Sequence, residues 1–203
     1  ILLIHIVSLV HMSRICKRFW KRIVNAYKQI FVRRLKVVLL GTESSGKSRL
    51  IKRIFEDSYD EEQEQRKHTN RILKYNLNGI EFTIYDVPGG KENIPKWDFF
   101  YKKADAVIFT FDSTSDEKNS MEAENQLSAL LYRNMWTKRN LLVLGTKNDM
   151  QQAKSCRDII LSLNLMDIVD REVSCYSVSA KTKVNLELVI RWLEEQTELQ
   201  SNK

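Results

Sequence analysis

The sequence predicts one α/β domain whose sheet is mostly parallel and doubly wound, with helices on both faces. Two observations indicate this class. Short apolar runs typical of buried strands alternate along the chain with amphipathic segments of helical period. The first clear run ends in a glycine-containing turn that leads directly into such a segment. We see no internal repeat, and we predict an N-terminal arm over residues 1–34 followed by one domain over residues 35–203.

The charge of the chain is concentrated at its amino end. The 203 residues carry a net charge of +7, and residues 1–40 contain nine Lys or Arg and no acid. Residues 41–203 therefore hold 24 basic and 26 acidic side chains. Nucleic-acid-binding proteins more often spread basic residues over the folded surface, so we expect no nucleic-acid partner.

Cysteine usage indicates a reducing compartment. Cys16, Cys156 and Cys175 are widely spaced, and no CxxC pair or histidine cluster accompanies them. This pattern argues against a disulfide scaffold and against a zinc site.

The arm combines an apolar run with a basic amphipathic segment. Residues 1–10 are apolar but too few to span a bilayer, which takes about 20 residues. In residues 14–34 the apolar and basic side chains fall on opposite halves of a helical wheel. Such a helix can lie in a membrane interface, dock on this protein or on a partner, or serve as a mitochondrial targeting segment. Cys16, among basic residues, is a candidate S-acylation site.

The body begins with a strand over residues 37–40, and a loop that matches GxxxxGK[ST] follows it. An amphipathic helix comes next, which is the context that this motif requires. Glycines let backbone N–H groups curl around phosphates, Lys47 reaches the terminal phosphates, and the Ser48 hydroxyl can ligate Mg²⁺. The predicted phosphate-binding residues of the loop are Gly41, Ser44, Ser45, Gly46, Lys47 and Ser48.

The rest of the chain continues the alternation of strands and helices. Residues 71–86 read as a hairpin that turns at Asn78-Gly79, where a positive φ is tolerated. Buried strands are predicted within 105–112, 140–149 and 171–180, and helices within 117–136, 155–163 and 185–198.

Polar residues at the ends of these strands supply the remaining pieces of a nucleotide site. Asp86 can hold a Mg²⁺-bound water, and Gly89 can donate its N–H to a γ-phosphate. Residues 146–149 nearly match NKxD, in which the aspartate accepts two guanine N–H groups that adenine lacks. Residues 179–181 match the SAK element, whose backbone N–H meets the guanine O6. The predicted base-binding residues are Thr146, Lys147, Asp149, Ser179, Ala180 and Lys181.

These motifs together resemble the small GTPases, and residues 86–101 with residues 108–117 resemble the Arf/Arl branch of the P-loop small GTPase fold. Gly90-Lys91 at the usual glutamine position and "CKRFWKR" ahead of the loop resemble an atypical, cilium-associated Arl subgroup. The resemblance implies GTP/GDP and Mg²⁺ as cofactors and effectors or regulators as partners. It also implies an acylated GTPase on the cytoplasmic face of a membrane or at the cytoskeleton or cilium, and an exchange activity toward another Arl protein.

Three departures from the family pattern matter. Gly90 has no side chain to orient an attacking water, so we predict slow hydrolysis and name no catalytic residue. Thr69 is the candidate for the switch I threonine that ligates Mg²⁺, but its spacing to Asp86 is two residues shorter than the spacing in the Arf pattern. Thr146 replaces the asparagine of NKxD, and its shorter side chain is expected to bridge the base and the phosphate loop less well.

The sequence leaves two functions open and disfavours a third. The chain is a GTP-dependent switch, or it is a nucleotide-locked structural subunit whose partners are neighbouring subunits of a larger assembly. A P-loop kinase or ATPase is disfavoured by Asp149 and by the SAK element.

Overall fold

The computed structural model describes residue 20, residues 32–59 and residues 70–201. Within these residues six strands form one sheet in the order β2-β3-β1-β4-β5-β6. The strands are β1 (Arg33–Gly41), β2 (Arg71–Leu77), β3 (Ile80–Asp86), β4 (Ala106–Asp112), β5 (Asn140–Thr146) and β6 (Val173–Ser177).

Helices connect the strands, as the alternating pattern predicts. Short 3₁₀ turns lie at Lys91–Asn93 and Leu165–Asp167. The helices are α1 (Lys47–Phe55), α2 (Ile94–Lys103), α3 (Glu117–Arg133), α4 (Cys156–Ser162) and α5 (Leu186–Ser201).

The sheet is mostly parallel, and its carboxyl edge gathers the predicted site residues. β1 pairs with β4, β4 with β5 and β5 with β6, all in parallel. β2 and β3 form an antiparallel hairpin at Asn78-Gly79, and both turn residues have positive φ (52° and 76°). Because parallel strands end at the same edge, the loops after β1, β4, β5 and β6 meet there, where open α/β sheets bind ligands.

Apolar side chains cover both faces of the sheet. On one face α2, α3 and α4 pack on the strands around Trp97 and Leu127. On the other face α1 and α5 pack around Leu50 and Trp192. These two layers agree with the predicted doubly wound class. No helix in the described part of the chain is long and apolar enough to cross a membrane.

The arm differs from its predicted extent at its carboxyl end. The predicted helix ran to residue 34, whereas β1 already begins at Arg33. The reason is the strand period that starts there: Leu35 and Val37 are fully buried, while Arg34 and Lys36, which alternate with them, are exposed. The chain divides into the units Ile1–Arg33 and Arg34–Lys203. Cys16 and most of the predicted amphipathic helix lie outside the described residues.

Candidate functional site

The loop over residues 41–48 curls around its own lysine. Gly41, Ser44 and Gly46 all have positive φ (139°, 56° and 77°). The Lys47 ammonium is buried and donates to the carbonyl oxygens of Gly41 (3.1 Å) and Thr42 (2.5 Å). Within the described residues, no side chain caps the amino end of α1, which begins at Lys47. An anion seated on the loop would therefore meet an ammonium group and the N–H groups of a helix amino end.

Ser45 supports the loop with its side chain. Its hydroxyl is fully buried, donates to the Thr42 carbonyl (2.8 Å) and lies 2.8 Å from the Thr110 hydroxyl on β4. A Cβ on Gly41 would collide with the backbone of Thr110, so no other residue fits there. The side chain of Ser45 therefore anchors the loop to the sheet, and its backbone N–H is what it can offer to a phosphate.

Two oxygen atoms at the base of the loop form a candidate cation site. Ser48 Oγ donates to Asp86 Oδ2 over 2.7 Å, and both side chains are buried. A hydroxyl and a carboxylate are the hard oxygen ligands that Mg²⁺ prefers, so this pair fits the predicted metal. Thr69, the third predicted ligand, lies outside the described residues.

Arg71 reaches the same two oxygens, a contact that the sequence analysis does not predict. Its Nη2 lies 3.3 Å from Ser48 Oγ and 3.4 Å from Asp86 Oδ2. The signal was present, because a two-residue turn at Asn78-Gly79 places Arg71 directly opposite Asp86 in the hairpin register.

The segment after β3 packs tightly against the phosphate loop. A Cβ on Gly89 would lie 2.5 Å from the backbone nitrogen of Glu43, so glycine is required for this approach. The buried Asn93 amide donates to the Gly89 carbonyl (3.0 Å), and the Trp97 indole donates to the Pro88 carbonyl (3.3 Å). This places Gly89 beside the loop, where its N–H could reach a terminal phosphate.

Gly90 itself has φ 96° and ψ 149°, a conformation that residues with a side chain rarely adopt. A Cβ built there would meet the Glu92 carboxylate at 2.7 Å. The backbone at this position is thus shaped for glycine and not for the glutamine that the family pattern has here.

A cavity of about 240 Å³ opens beside the loop, and five of the six predicted base-binding residues line it. It lies between the loop after β5 and the loop after β6. Its lining residues are Gly46, Arg49, Leu50, Tyr59, Thr146, Lys147, Asp149, Met150, Ala180 and Lys181.

Asp149 is held in place at this cavity by Ser179. The buried Ser179 hydroxyl donates to Asp149 Oδ1 (2.6 Å) and accepts from the backbone N–H of Thr182 (3.1 Å). One carboxylate oxygen is therefore fixed by the protein. A carboxylate oriented in this way can accept the paired N–H groups of guanine.

Thr146 contacts the phosphate loop directly. Its hydroxyl lies 2.9 Å from the Ser45 carbonyl and 3.1 Å from the Phe111 carbonyl, and it can donate to either. The short side chain thus reaches the phosphate loop, because β5 brings residue 146 close to it. The expected weaker bridging between the loop and the base stays a prediction.

Lys147 pairs with an aspartate at the end of β4. Its Nζ lies 2.6 Å from Asp112 Oδ2, and its backbone has φ 61°. Burial raises the pKa of Asp112, but hydrogen bonds from Lys147 and Thr114 outweigh it and hold that pKa below its ordinary value. The lysine stem is thereby fixed along the wall of the cavity.

Arg53 ties the SAK loop to α1, a role that the sequence did not reveal. Its Nε donates to the Ala180 carbonyl (3.0 Å) and its Nη2 to the Lys181 carbonyl (3.3 Å). The guanidinium also lies 5.7 Å from the ring centre of Tyr59 on the cavity wall. These contacts fix the two carbonyl groups, so the neighbouring N–H groups keep a defined orientation.

A comparison with known families decides which family the chain belongs to. The model of the ADP-ribosylation factor family matches residues 21–197. The chain belongs to this family.

Individual relatives agree with the ADP-ribosylation factor assignment. ADP-ribosylation factor-like protein 8c of Arabidopsis thaliana is 26% identical over 175 residues, which cover 86% of this chain and 94% of that protein. The Arl6 (BBS3) small GTPase of Trypanosoma brucei, solved with the nucleotide analogue GppNp, has a TM-score of 0.71 at 22% identity over 82% of this chain and 99% of its own. A mammalian SRP receptor structure has a TM-score of 0.69 at 24% identity over 79% of this chain and 99% of its own. The chain is thus an Arf/Arl-like small GTPase, and the P-loop fold predicted from the sequence is confirmed.

Proposed function

We propose that this ADP-ribosylation factor family member is a guanine-nucleotide switch that holds GDP or GTP between residues 41–48 and Asp149 and hydrolyses GTP slowly. The observation that carries the proposal is the Ser179–Asp149 hydrogen bond at a cavity beside the phosphate loop. Mg²⁺ would bind at Ser48 and, through water, at Asp86, where it would neutralise phosphate charge. The hydrogen bond between Ser48 and Asp86 supports this assignment, because it holds the two oxygens close together.

Slow hydrolysis follows from the conformation at Gly90. This residue offers no group to position water, and its backbone disfavours a replacement that would. Gly89, by contrast, keeps the close approach to the loop that sensing a terminal phosphate requires. The chain thus retains the means to distinguish GTP from GDP while lacking the usual means to convert one to the other.

The decisive experiment identifies the nucleotide and its exchange. Purified full-length protein would be denatured and its released nucleotide identified by mass spectrometry, and binding of fluorescent GDP, GTP and ATP would be titrated. We expect guanine nucleotides to bind at least 100-fold more tightly than ATP, and single-turnover GTP hydrolysis to be slower than in a glutamine-containing relative. Preference for ATP would overturn the proposal. Bound nucleotide that never exchanges would favour the alternative of a nucleotide-locked structural subunit.

The basic amphipathic segment over residues 14–34 supports a further part of the proposal, contact with an anionic membrane surface on the cytoplasmic side. Cys16 would add an acyl anchor to this contact. Flotation of full-length protein with phosphatidylserine-containing vesicles should exceed flotation with phosphatidylcholine vesicles. Equal flotation would favour docking of this segment on a partner protein or a neighbouring subunit. The cilium association and exchange activity that the resemblance implies stay predictions.

A further inference from the structure

We propose that Arg71 is a built-in cation of the nucleotide site, which competes with Mg²⁺ for Ser48 and Asp86 and weakens the dependence of nucleotide binding on the metal. This inference rests on the proposed function, since it concerns the same site. It starts from one contact: a single guanidinium nitrogen lies within 3.4 Å of both oxygens that suit the metal.

The hairpin places this guanidinium. Arg71 is the first residue of β2 and stands opposite Asp86, the last residue of β3, in the antiparallel register. Directly opposed residues in such a ladder project to the same face of the sheet. The arginine side chain is therefore directed at Asp86 by the register itself, and its length lets it continue to Ser48.

The environment makes the contact electrostatically significant. The side chains of Arg71 and Asp86 are 39% and 6% exposed, so the carboxylate has little water to screen it. Lys47, the lysine of the phosphate loop, donates to the carbonyl oxygens of Gly41 and Thr42. Arg71 brings its positive charge to the oxygen pair itself.

Mg²⁺ and this guanidinium cannot use the two oxygens in the same way at once. The metal needs a lone pair of Ser48 Oγ and a water held by Asp86, and it carries two positive charges of its own. Arg71 donates to the same atoms and would be repelled by the metal. When the metal is absent, the guanidinium can stay and can also donate to phosphate oxygens, for which its planar group is well suited.

Two measurable consequences follow. Without Mg²⁺, the bound nucleotide still has a cation beside its phosphates, so its release accelerates less than in a site that depends on the metal alone. With Mg²⁺, the metal must displace Arg71, so the affinity of the protein–GDP complex for a divalent ion is reduced.

The test uses full-length protein loaded with fluorescent GDP. Its dissociation rate is measured in excess Mg²⁺ and in excess EDTA for the wild type, Arg71→Ala and Arg71→Gln. We expect the ratio of the EDTA rate to the Mg²⁺ rate to increase at least tenfold in both variants. Lys74→Ala, which removes an exposed charge from the same strand, is the matched control and should leave the ratio unchanged. Circular dichroism confirms folding, and Arg71→Gln preserves the length of the side chain if alanine proves disruptive.

A second readout separates competition from a purely structural ion pair. Mn²⁺ binding to the GDP complex, followed by electron paramagnetic resonance, should tighten at least fivefold in Arg71→Gln. Unchanged rate ratios and unchanged Mn²⁺ affinity would overturn the inference while leaving the proposed function intact. Failure of the wild type to bind guanine nucleotide would overturn both.

Discussion

The hydroxyl of Ser179 donates to Asp149 Oδ1 over 2.6 Å and thereby joins the loop after β6 to the loop after β5. The bond spans 30 residues of sequence and fixes the carboxylate at the wall of the cavity beside the phosphate loop. Under the proposed function, guanine selectivity would depend on two residues, because Asp149 would contact the base and Ser179 would orient the Asp149 carboxylate.

Removing either member of this pair should weaken guanine binding to different degrees. Asp149→Ala removes charge-assisted hydrogen bonds, each worth about 1.5–3 kcal/mol, so we expect GDP affinity to fall by about 100-fold or more. Ser179→Ala removes the bond that orients the carboxylate but no bond to the base itself, so a smaller loss of affinity, about fivefold or about 1 kcal/mol, is expected. Titration of fluorescent GDP measures both values.

Ser177→Ala provides a matched control for the Ser179 substitution. The Ser177 hydroxyl is buried on β6, two residues before Ser179, and has no hydrogen-bond partner among the described residues. Its removal should leave GDP affinity unchanged. Equal losses in the two serine variants would show that the Ser179 hydroxyl does not act through Asp149.

The ion pair between Asp112 and Lys147 should make stability depend on acid pH. The pKa of Asp112 lies below its ordinary value, so the charged carboxylate contributes stability above the unfolded-state pKa of about 3.9. That contribution is lost as pH falls through the lower, folded-state pKa. Lys147 is 36% exposed, so solvent screening limits the effect to about 1 kcal/mol or less.

Chemical denaturation of wild type and Asp112→Asn at several pH values tests this dependence. The difference in unfolding free energy between the two proteins should be largest near neutral pH and should shrink below about pH 4. Asp167→Asn, at an exposed position, serves as the control. A difference that stays constant down to about pH 2 would contradict the assignment.

Local spacing explains why much of the site was predictable. Residues 41–48 and the strand-end motifs are short segments whose chemistry depends on neighbours in sequence, and the parallel sheet brings them to one edge.

The contacts that hold the loops of the site together join residues that are far apart in sequence. Arg53 meets Ala180 across 127 positions and Thr146 meets Ser45 across 101 positions. No local pattern specifies such pairs, because helix and strand packing determines them. Arg71 lies between these cases, since the register predicts its partner on β3 but not its reach to Ser48.

Restoring glutamine at position 90 should not restore hydrolysis. The backbone there has φ 96°, and holding a residue with a side chain in this region costs about 1–3 kcal/mol. The Glu92 carboxylate can swing aside, but the backbone cost remains. We therefore expect single-turnover GTP hydrolysis by Gly90→Gln to stay within tenfold of the wild type, with a lower melting temperature.

Gly79→Gln separates the backbone cost from events at the site. Gly79 also has a positive φ, of 76°, but a Cβ there would enter open space. Gly79→Gln should therefore show a similar loss of stability, with no effect on GTP hydrolysis. A rate increase of 100-fold in Gly90→Gln would mean that the chain relaxes readily and that the missing side chain alone explains slow turnover.

Trp97 should report nucleotide exchange through its fluorescence. Its fully buried indole donates to the Pro88 carbonyl, next to Gly89, and packs edge-on against Phe109 at 6.2 Å. If Gly89 moves when a γ-phosphate binds, this hydrogen bond changes length and the emission of Trp97 shifts.

Exchange of GDP for a non-hydrolysable GTP analogue tests this response. We expect the exchange to alter the emission of the wild type and of the control variant Trp136→Phe, which removes a tryptophan that is 90% exposed. Trp97→Phe should lose most of the change while still binding nucleotide. If Trp97→Phe keeps the full signal, the segment after β3 does not respond to the third phosphate, and the chain cannot act as a switch through it.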